Sequence, residues 1–206
     1  LINRWFQAGC FLQQPAKGIK RRKKYVRLKG GGRIGLTIYE PENIGKNAPC
    51  LVYYHGGAFV LRDRPSTHRL AQVYTREVRC KVVIVHYRLG KPYPEPVKDC
   101  YRALTWVARN ADALGIDRER IAVAAVTLIA RDKKGPSICF QMLINPVADK
   151  NMTSWSMRQF VDSPGWNANL NRQMWDLYMR KGDYGRPEYA APMSAPSLKG
   201  LPPAYV

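Results

Sequence analysis

His55-Gly56-Gly57-Ala58-Phe59 follows directly on the apolar run Cys50-Leu51-Val52-Tyr53-Tyr54. A short continuous apolar run of this kind reads as a strand buried on both faces. Two adjacent glycines at its end present backbone N–H groups with no Cβ in the way of a ligand, which is how acyl-transfer sites build half of an oxyanion hole. A second buried run, Val82 to Val85, leads into His86, Tyr87, Arg88 and Leu89, then Tyr93, Pro94 and Asp99.

Working outward, Tyr25 to Leu28 and Ile34 to Tyr39 alternate as two strands of a hairpin around Gly30, Gly31 and Gly32. Pro41 to Pro49 reads as a polar loop. The spacing of Leu70, Val73, Tyr74 and Val78 predicts a helix over Ser66 to Arg79, with Ser66 as its N-cap. Val97, Tyr101, Leu104 and Val107 predict another over Pro94 to Asn110. Asp117 to Arg120 reads as a turn and Ile121 to Ala124 as a short strand, after which Ala125 to Ala130 reads as a helix already under way. Ile138 to Ile144 is expected as a buried strand ending at Asn145-Pro146-Val147. This alternation of strands and helices implies a parallel sheet with crossover helices.

The chain has 206 residues, 46% of them hydrophobic, which suits one soluble α/β domain. No apolar run approaches the roughly 18 residues of a membrane span, and Leu1 to Leu12 lacks a signal-peptide pattern. Five widely spaced cysteines without a C-x-x-C pair point to a reducing cytoplasm and to no metal site. No cofactor is expected, because neither a ligand cluster nor a phosphate loop stands out. The formal charge of +19 attracts polyanions. Its densest cluster, Lys17, Lys20, Arg21, Arg22, Lys23, Lys24, Arg27 and Lys29, fits either a phosphate-tracking patch or a solvated strand face with a basic lead-in loop. With no nucleic-acid motif beside it, the expectation is non-specific electrostatic attraction only.

The glycine pair, the Tyr87-Arg88-Leu89 run and the tail Gly200-Leu201-Pro202-Pro203-Ala204-Tyr205-Val206 together resemble the α/β-hydrolase family, in its hormone-sensitive-lipase-like and arylacetamide-deacetylase-like carboxylesterase branch. The resemblance runs from about Tyr25 to Val206. It implies a mostly parallel central sheet flanked by helices, with a helical cap over residues 149–186, inside a single domain 1–206 that is incomplete and truncated at its C-terminus. It also implies hydrolysis of a small-molecule carboxylic ester by a serine, a histidine and an acid. Gly56, Gly57 and Ala58 match the oxyanion segment, Ala58 standing where a third glycine is common.

The nucleophile that the resemblance asks for is absent. No G-x-S-x-G occurs, since the only glycines four apart, Gly31 and Gly35, flank Arg33. Ser66, Ser137, Ser154, Ser156, Ser163, Ser194 and Ser197 all lack that context. His55 belongs to the glycine motif, and His68 and His86 are expected to be structural, as are Asp99 and Arg88. No catalytic residue is therefore identified. The order of segments implies residues missing between Ala124 and Ala125, with an abnormal separation there, in an incomplete copy of a serine carboxylesterase. The chain as it stands is expected to be inactive, with a hydrolase-fold protein that binds an apolar or anionic ligand as the alternative. Phe59, Phe160, Trp166 and Trp175 are candidate pocket or cap residues; the aromatic and methionine side chains of 149–186 suit core packing and a substrate-facing lid equally.

Overall fold

The structure, a computed structural model, describes residues 2–12, 14–123 and 126–206. Helix α1 (Ile2–Leu12) precedes strands β1 (Ile19–Arg27), β2 (Arg33–Pro41) and β3 (Ala48–Tyr54), then α2 (Pro65–Glu77), β4 (Lys81–His86), α3 (Glu95–Arg109) and α4 (Ala111–Leu114). Strand β5 (Ile116–Val123), α5 (Thr127–Asp132), β6 (Phe140–Met142), α6 (Trp155–Gln159), α7 (Ala168–Met179), α8 (Pro187–Ala190), a 3-10 turn at Pro192–Ser194 and β7 (Ala204–Tyr205) complete it. The described strands form one seven-stranded sheet in the order β1-β2-β4-β3-β5-β6-β7. Both β1–β2 and β2–β4 are antiparallel; every pair from β4 through β7 is parallel.

Alternation within β4 divides the core between the two sheet faces. Val83 and Val85 pack with Leu104 and Val107 of α3, whereas Val82 and Ile84 pack with Tyr39 of β2 and Ala71 of α2. All four β4 side chains are fully buried, as expected of a central strand covered on both faces. Among the described residues, no helix is long and apolar enough to cross a membrane.

Several boundaries differ from expectation. The basic lead-in is strand, not loop: β1 starts at Ile19, with Arg21 opposite Tyr39 and Lys23 opposite Thr37. An edge strand tolerates this charge because its side chains reach water while its backbone pairs on one side, and edge lysines deter pairing with other chains. Helix α2 begins at Pro65, with Arg64 rather than Ser66 at the cap position. Its inner face is His68, Ala71, Gln72 and Thr75, while Val73 and Val78 are exposed. Hydrogen bonds explain that polar face: Ala16 N–H donates to Gln72 Oε1 at 2.6 Å and Thr75 Oγ1 donates to Ala71 O at 2.8 Å. Polar groups so paired lose most of their burial penalty.

Asp117 to Arg120 fall inside β5, yet they keep a local turn in which Glu119 N–H donates to Asp117 Oδ1 at 3.0 Å. The β3–β5 register slips there, from Ala48 opposite Ile116 to Cys50 opposite Ile121, so the segment bulges out of the ladder. The strand expected over Ile138 to Ile144 shrinks to Phe140–Met142, and both Phe140 and Ile144 are exposed. Its neighbour β7 spans only two residues, leaving little ladder to extend.

Candidate active site

Strand β3 delivers the glycine motif to the end of the sheet. His55 is buried, its ring stacked on Tyr87 with centroids 4.5 Å apart, and the Tyr87 hydroxyl donates to His55 O at 2.6 Å. Burial pushes the His55 imidazole below its usual pKa, which favours the neutral ring. The chain then turns sharply, with Val60 and Leu61 N–H both donating to Gly57 O, at 3.0 and 2.8 Å. Gly57 has φ +133°, and a Cβ there would stand 2.5 Å from Leu61 O, so only glycine fits. Ala58 and Phe59 follow in the left-handed region, at φ 53° and 59°. Among the described residues, the N–H groups of Gly56, Gly57 and Ala58 have no hydrogen-bond acceptor.

Phe59 is held from two sides. Gly90 N–H donates to its carbonyl at 2.7 Å, and its ring stacks on Tyr178 of α7. Tyr178 in turn packs with Tyr93, Met174 and Trp175. Of the four candidate pocket residues, Phe59 and Trp175 therefore meet in one cluster. Phe160 and Trp166 are 47% and 45% exposed and lie outside it.

At the same end of the sheet, β5, parallel to β3 with Val123 opposite Val52, ends at Val123, and α5 begins at Thr127, with Ala124 and Ala125 between them in sequence. Those two residues, and with them the expected abnormal separation, lie outside the described residues. The next residue corrects one expectation: Val126 is not helical but sits at φ 68°, ψ 14°, capping α5 from the left-handed region. A turn is thus made between strand and helix, by a β-branched residue for which positive φ is a genuine outlier. The adjoining Thr127 hydroxyl, buried, donates to Gln141 Oε1 at 2.9 Å, and Gln141 Nε2 donates to Pro202 O at 3.1 Å, tying α5 to β6 and the tail.

The other singled-out polar residues have structural partners. Arg88 grips the fully buried Asp99 with two prongs, Nε to Oδ2 at 2.7 Å and Nη2 to Oδ1 at 2.8 Å, and also reaches Glu95 Oε2 at 2.6 Å. His68 Nε2 lies 2.6 Å from Asp63 Oδ2, and His86 Nδ1 lies 3.2 Å from Asp63 Oδ1. Burial alone would raise the Asp63 carboxyl, but hydrogen bonds from His68 and His86 outweigh it and hold the group far below the usual carboxylate range. Asp63 gave no sequence signal, since its partners lie on α2 and β4. The expectation of no ligand cluster also needs correcting. Cys10, Asp63 and His68 gather within 4.8 Å, brought together by tertiary packing that no spacing in the sequence encodes.

A family model described as the alpha/beta hydrolase fold matches residues 51–206. The chain is similar to the carboxylesterase NlhH of Mycobacterium tuberculosis, 32% identical over 91% of this chain and 64% of that protein. It is also similar to an arylesterase of Saccharolobus solfataricus, 30% identical over 84% of this chain and 60% of that one. Among solved structures, a bacterial heroin esterase superposes with a TM-score of 0.88 at 32% identity, covering 98% of this chain and 69% of that chain. The chain thus spans somewhat less than two thirds of the length of the curated relatives it matches.

Proposed function

The chain belongs to the α/β-hydrolase fold family, and from that membership we propose that its chemistry is carboxylic ester hydrolysis, with Gly56, Gly57 and Ala58 as the oxyanion-binding half of the site. The turn at Gly57 carries this reading: a strand end, a φ only glycine tolerates and three successive N–H groups without an acceptor among the described residues. Such donors stabilise the negative oxygen of a tetrahedral intermediate more than the ground-state carbonyl, which is the condition for catalysis. Residues 149–186 act as the cap, with α7 seated on Phe59. Small-molecule esters are the substrates, no cofactor takes part, and the five free thiols suit a reducing cytoplasm.

The nucleophilic half is not supplied by this sequence. His55 is stacked and turned to its own neighbour's carbonyl, His68 and His86 face Asp63, and no serine has elbow context. Oxyanion donors and binding alone leave only a small part of the rate enhancement of a complete triad. The chain by itself therefore holds an ester without forming an acyl-enzyme, as a binding protein of hydrolase fold would.

Two measurements test this. The chain should turn over a short-chain p-nitrophenyl ester no faster than its heat-denatured control, and a serine-directed phosphonate should leave it unmodified. Labelling of any of its serines refutes the inactive reading. A variant with a Gly-x-Ser-x-Gly turn inserted between Ala124 and Ala125, and an acid- and histidine-bearing segment appended after Val206, should hydrolyse the ester. Adding Gly57→Val to it should lower kcat by about 10²-fold or more, as loss of an oxyanion donor does.

A further inference from the structure

Arg21, Lys23 and Tyr25 alternate along β1 and so share one face of the sheet, with about 6.6 Å from each to the next. The register sets Thr37 beside Lys23 and Gly35 beside Tyr25, with His86 of β4 next in the row beyond Gly35. Gly35 adds no side chain to that row, and a Cβ there would stand 3.3 Å from His86 Cδ2. The space left open is a cavity of about 290 Å³, bounded also by Arg33 and, from the loop after the glycine turn, by Arg62 and Asp63. Its size is near the lower end of the range of small-molecule sites, about 300–1,000 Å³.

Four of the lining side chains, Arg21, Lys23, Arg33 and Arg62, are cationic, against the single carboxylate of Asp63. That carboxylate is already engaged. Its Oδ2 accepts from His68 Nε2 at 2.6 Å and its Oδ1 from His86 Nδ1 at 3.2 Å, and Arg62 Nε lies 3.9 Å from Oδ1. A lining of this sign repels a metal ion from the adjoining Cys10, Asp63 and His68 cluster and attracts an anion. Two of the cations are also placed by contacts of their own. The Arg33 guanidinium carbon stands 4.3 Å from the centroid of the Tyr25 ring, and Arg21 Nη1 donates to Cys10 O at 3.4 Å. A guanidinium carries five N–H donors in a planar fork, so contacts of this kind orient it without exhausting it.

We propose that this cavity binds the phosphate group of a small molecule, at a site separate from the glycine turn. Charge and geometry choose the anion. A phosphate monoester carries about −1.5 to −2 charges at pH 7 and three terminal acceptor oxygens, enough to engage several cations at once. A carboxylate brings one charge, which a single guanidinium matches. The arginine forks take phosphate oxygens in pairs, and Lys23 adds a point charge between Arg21 and Tyr25 on the same strand face. Tyr25, 48% exposed, supplies apolar surface to whatever the phosphate is attached to.

Titration calorimetry of the full chain tests the site at about 0.15 M salt, where exposed charges more than roughly 8 Å apart are largely screened. Glycerol 3-phosphate should bind one-to-one, inorganic phosphate should displace it, and acetate at the same concentration should not. Tighter binding of the ester than of inorganic phosphate identifies a phosphate ester as the occupant; equal or weaker binding identifies the free ion. The double substitution Arg21→Gln, Lys23→Gln should weaken binding by at least about 10-fold, since each removes a charged donor. Lys20→Gln with Lys24→Gln, which takes the same charge from the opposite face of β1, should leave it within about twofold of the parent. Equal losses in the two double variants, binding that does not saturate, or displacement by acetate overturns the site and leaves only general attraction to a chain of charge +19. The unmutated protein gives a readout that depends on no variant's folding. Glycerol 3-phosphate should slow phenylglyoxal modification of Arg33 and Arg62, read by peptide mass, but not that of the exposed Arg109 of α3. Protection of all three, or of none, refutes the assignment.

Discussion

Phe59 and Tyr178 lie face to face, their ring centroids 4.0 Å apart and their planes within 12°. The first belongs to the glycine turn and the second to α7, so this stack is where the segment read as a cap meets the segment read as an oxyanion hole. Tyr178 is also anchored through its backbone, its carbonyl accepting from Tyr93 N–H at 2.7 Å.

Tyr178→Ala should therefore act on both stability and site. Tyr178 is 3% exposed, so its truncation should cost about 3–5 kcal/mol of unfolding free energy, as for buried aromatic residues elsewhere. Tyr178→Phe keeps the stack and should cost under about 1 kcal/mol. Urea denaturation of the two variants checks the difference; equal losses would mean that the ring contact contributes little.

Acid should weaken the fold in two windows. His55 has a folded pKa below its unfolded value of 6.5, so the unfolded chain binds a proton that the native chain does not. Its contribution is fully present above pH 6.5 and is lost as pH falls through the folded value. Asp63, with a carboxyl depressed from 3.8, loses its contribution only as pH falls below that. Unfolding midpoints in urea should decline from pH 7.5 to 5.5 in the parent, and less steeply in His55→Phe. An unchanged slope in that variant would remove His55 from the account.

The central sheet was legible in the sequence because Cys50 to Val52 and Val82 to Val85 are buried on both faces, and a strand without a polar face admits few alternatives. Helix α3 was legible too, its apolar spacing matching the buried Leu104 and Val107. Helix α2 was misread because its buried row is polar: His68, Gln72 and Thr75 go inward for hydrogen bonds made by partners that periodicity cannot see. The same blindness hid Asp63 and Cys10, whose meaning exists only after α1, α2 and β4 pack together. Gly56 and Gly57 could be found, since a glycine pair after a buried strand is a local signal with a steric cause, and the Leu61 carbonyl behind Gly57 supplies it.

Val126 stands where that steric logic is violated. Left-handed backbone costs an ordinary residue about 1–2 kcal/mol, and a β-branched side chain makes it worse. Glycine would relieve this strain but forfeit the contact of a half-buried valine with the core, itself about 1 kcal/mol for partial burial. Val126→Asn keeps a side chain and uses the residue type that tolerates this region best after glycine. Both substitutions should thus leave the protein at least as stable as the parent, by about 0–1 kcal/mol, although most large-to-small changes near a core destabilise. Val126→Ala is the control, because it loses the packing while keeping a Cβ in the strained conformation, and it should be less stable than the parent by about 1 kcal/mol. Thermal unfolding of the three variants distinguishes the cases. If glycine and asparagine destabilise as much as alanine, the strain is absent and the strand-to-helix turn is shaped by packing alone.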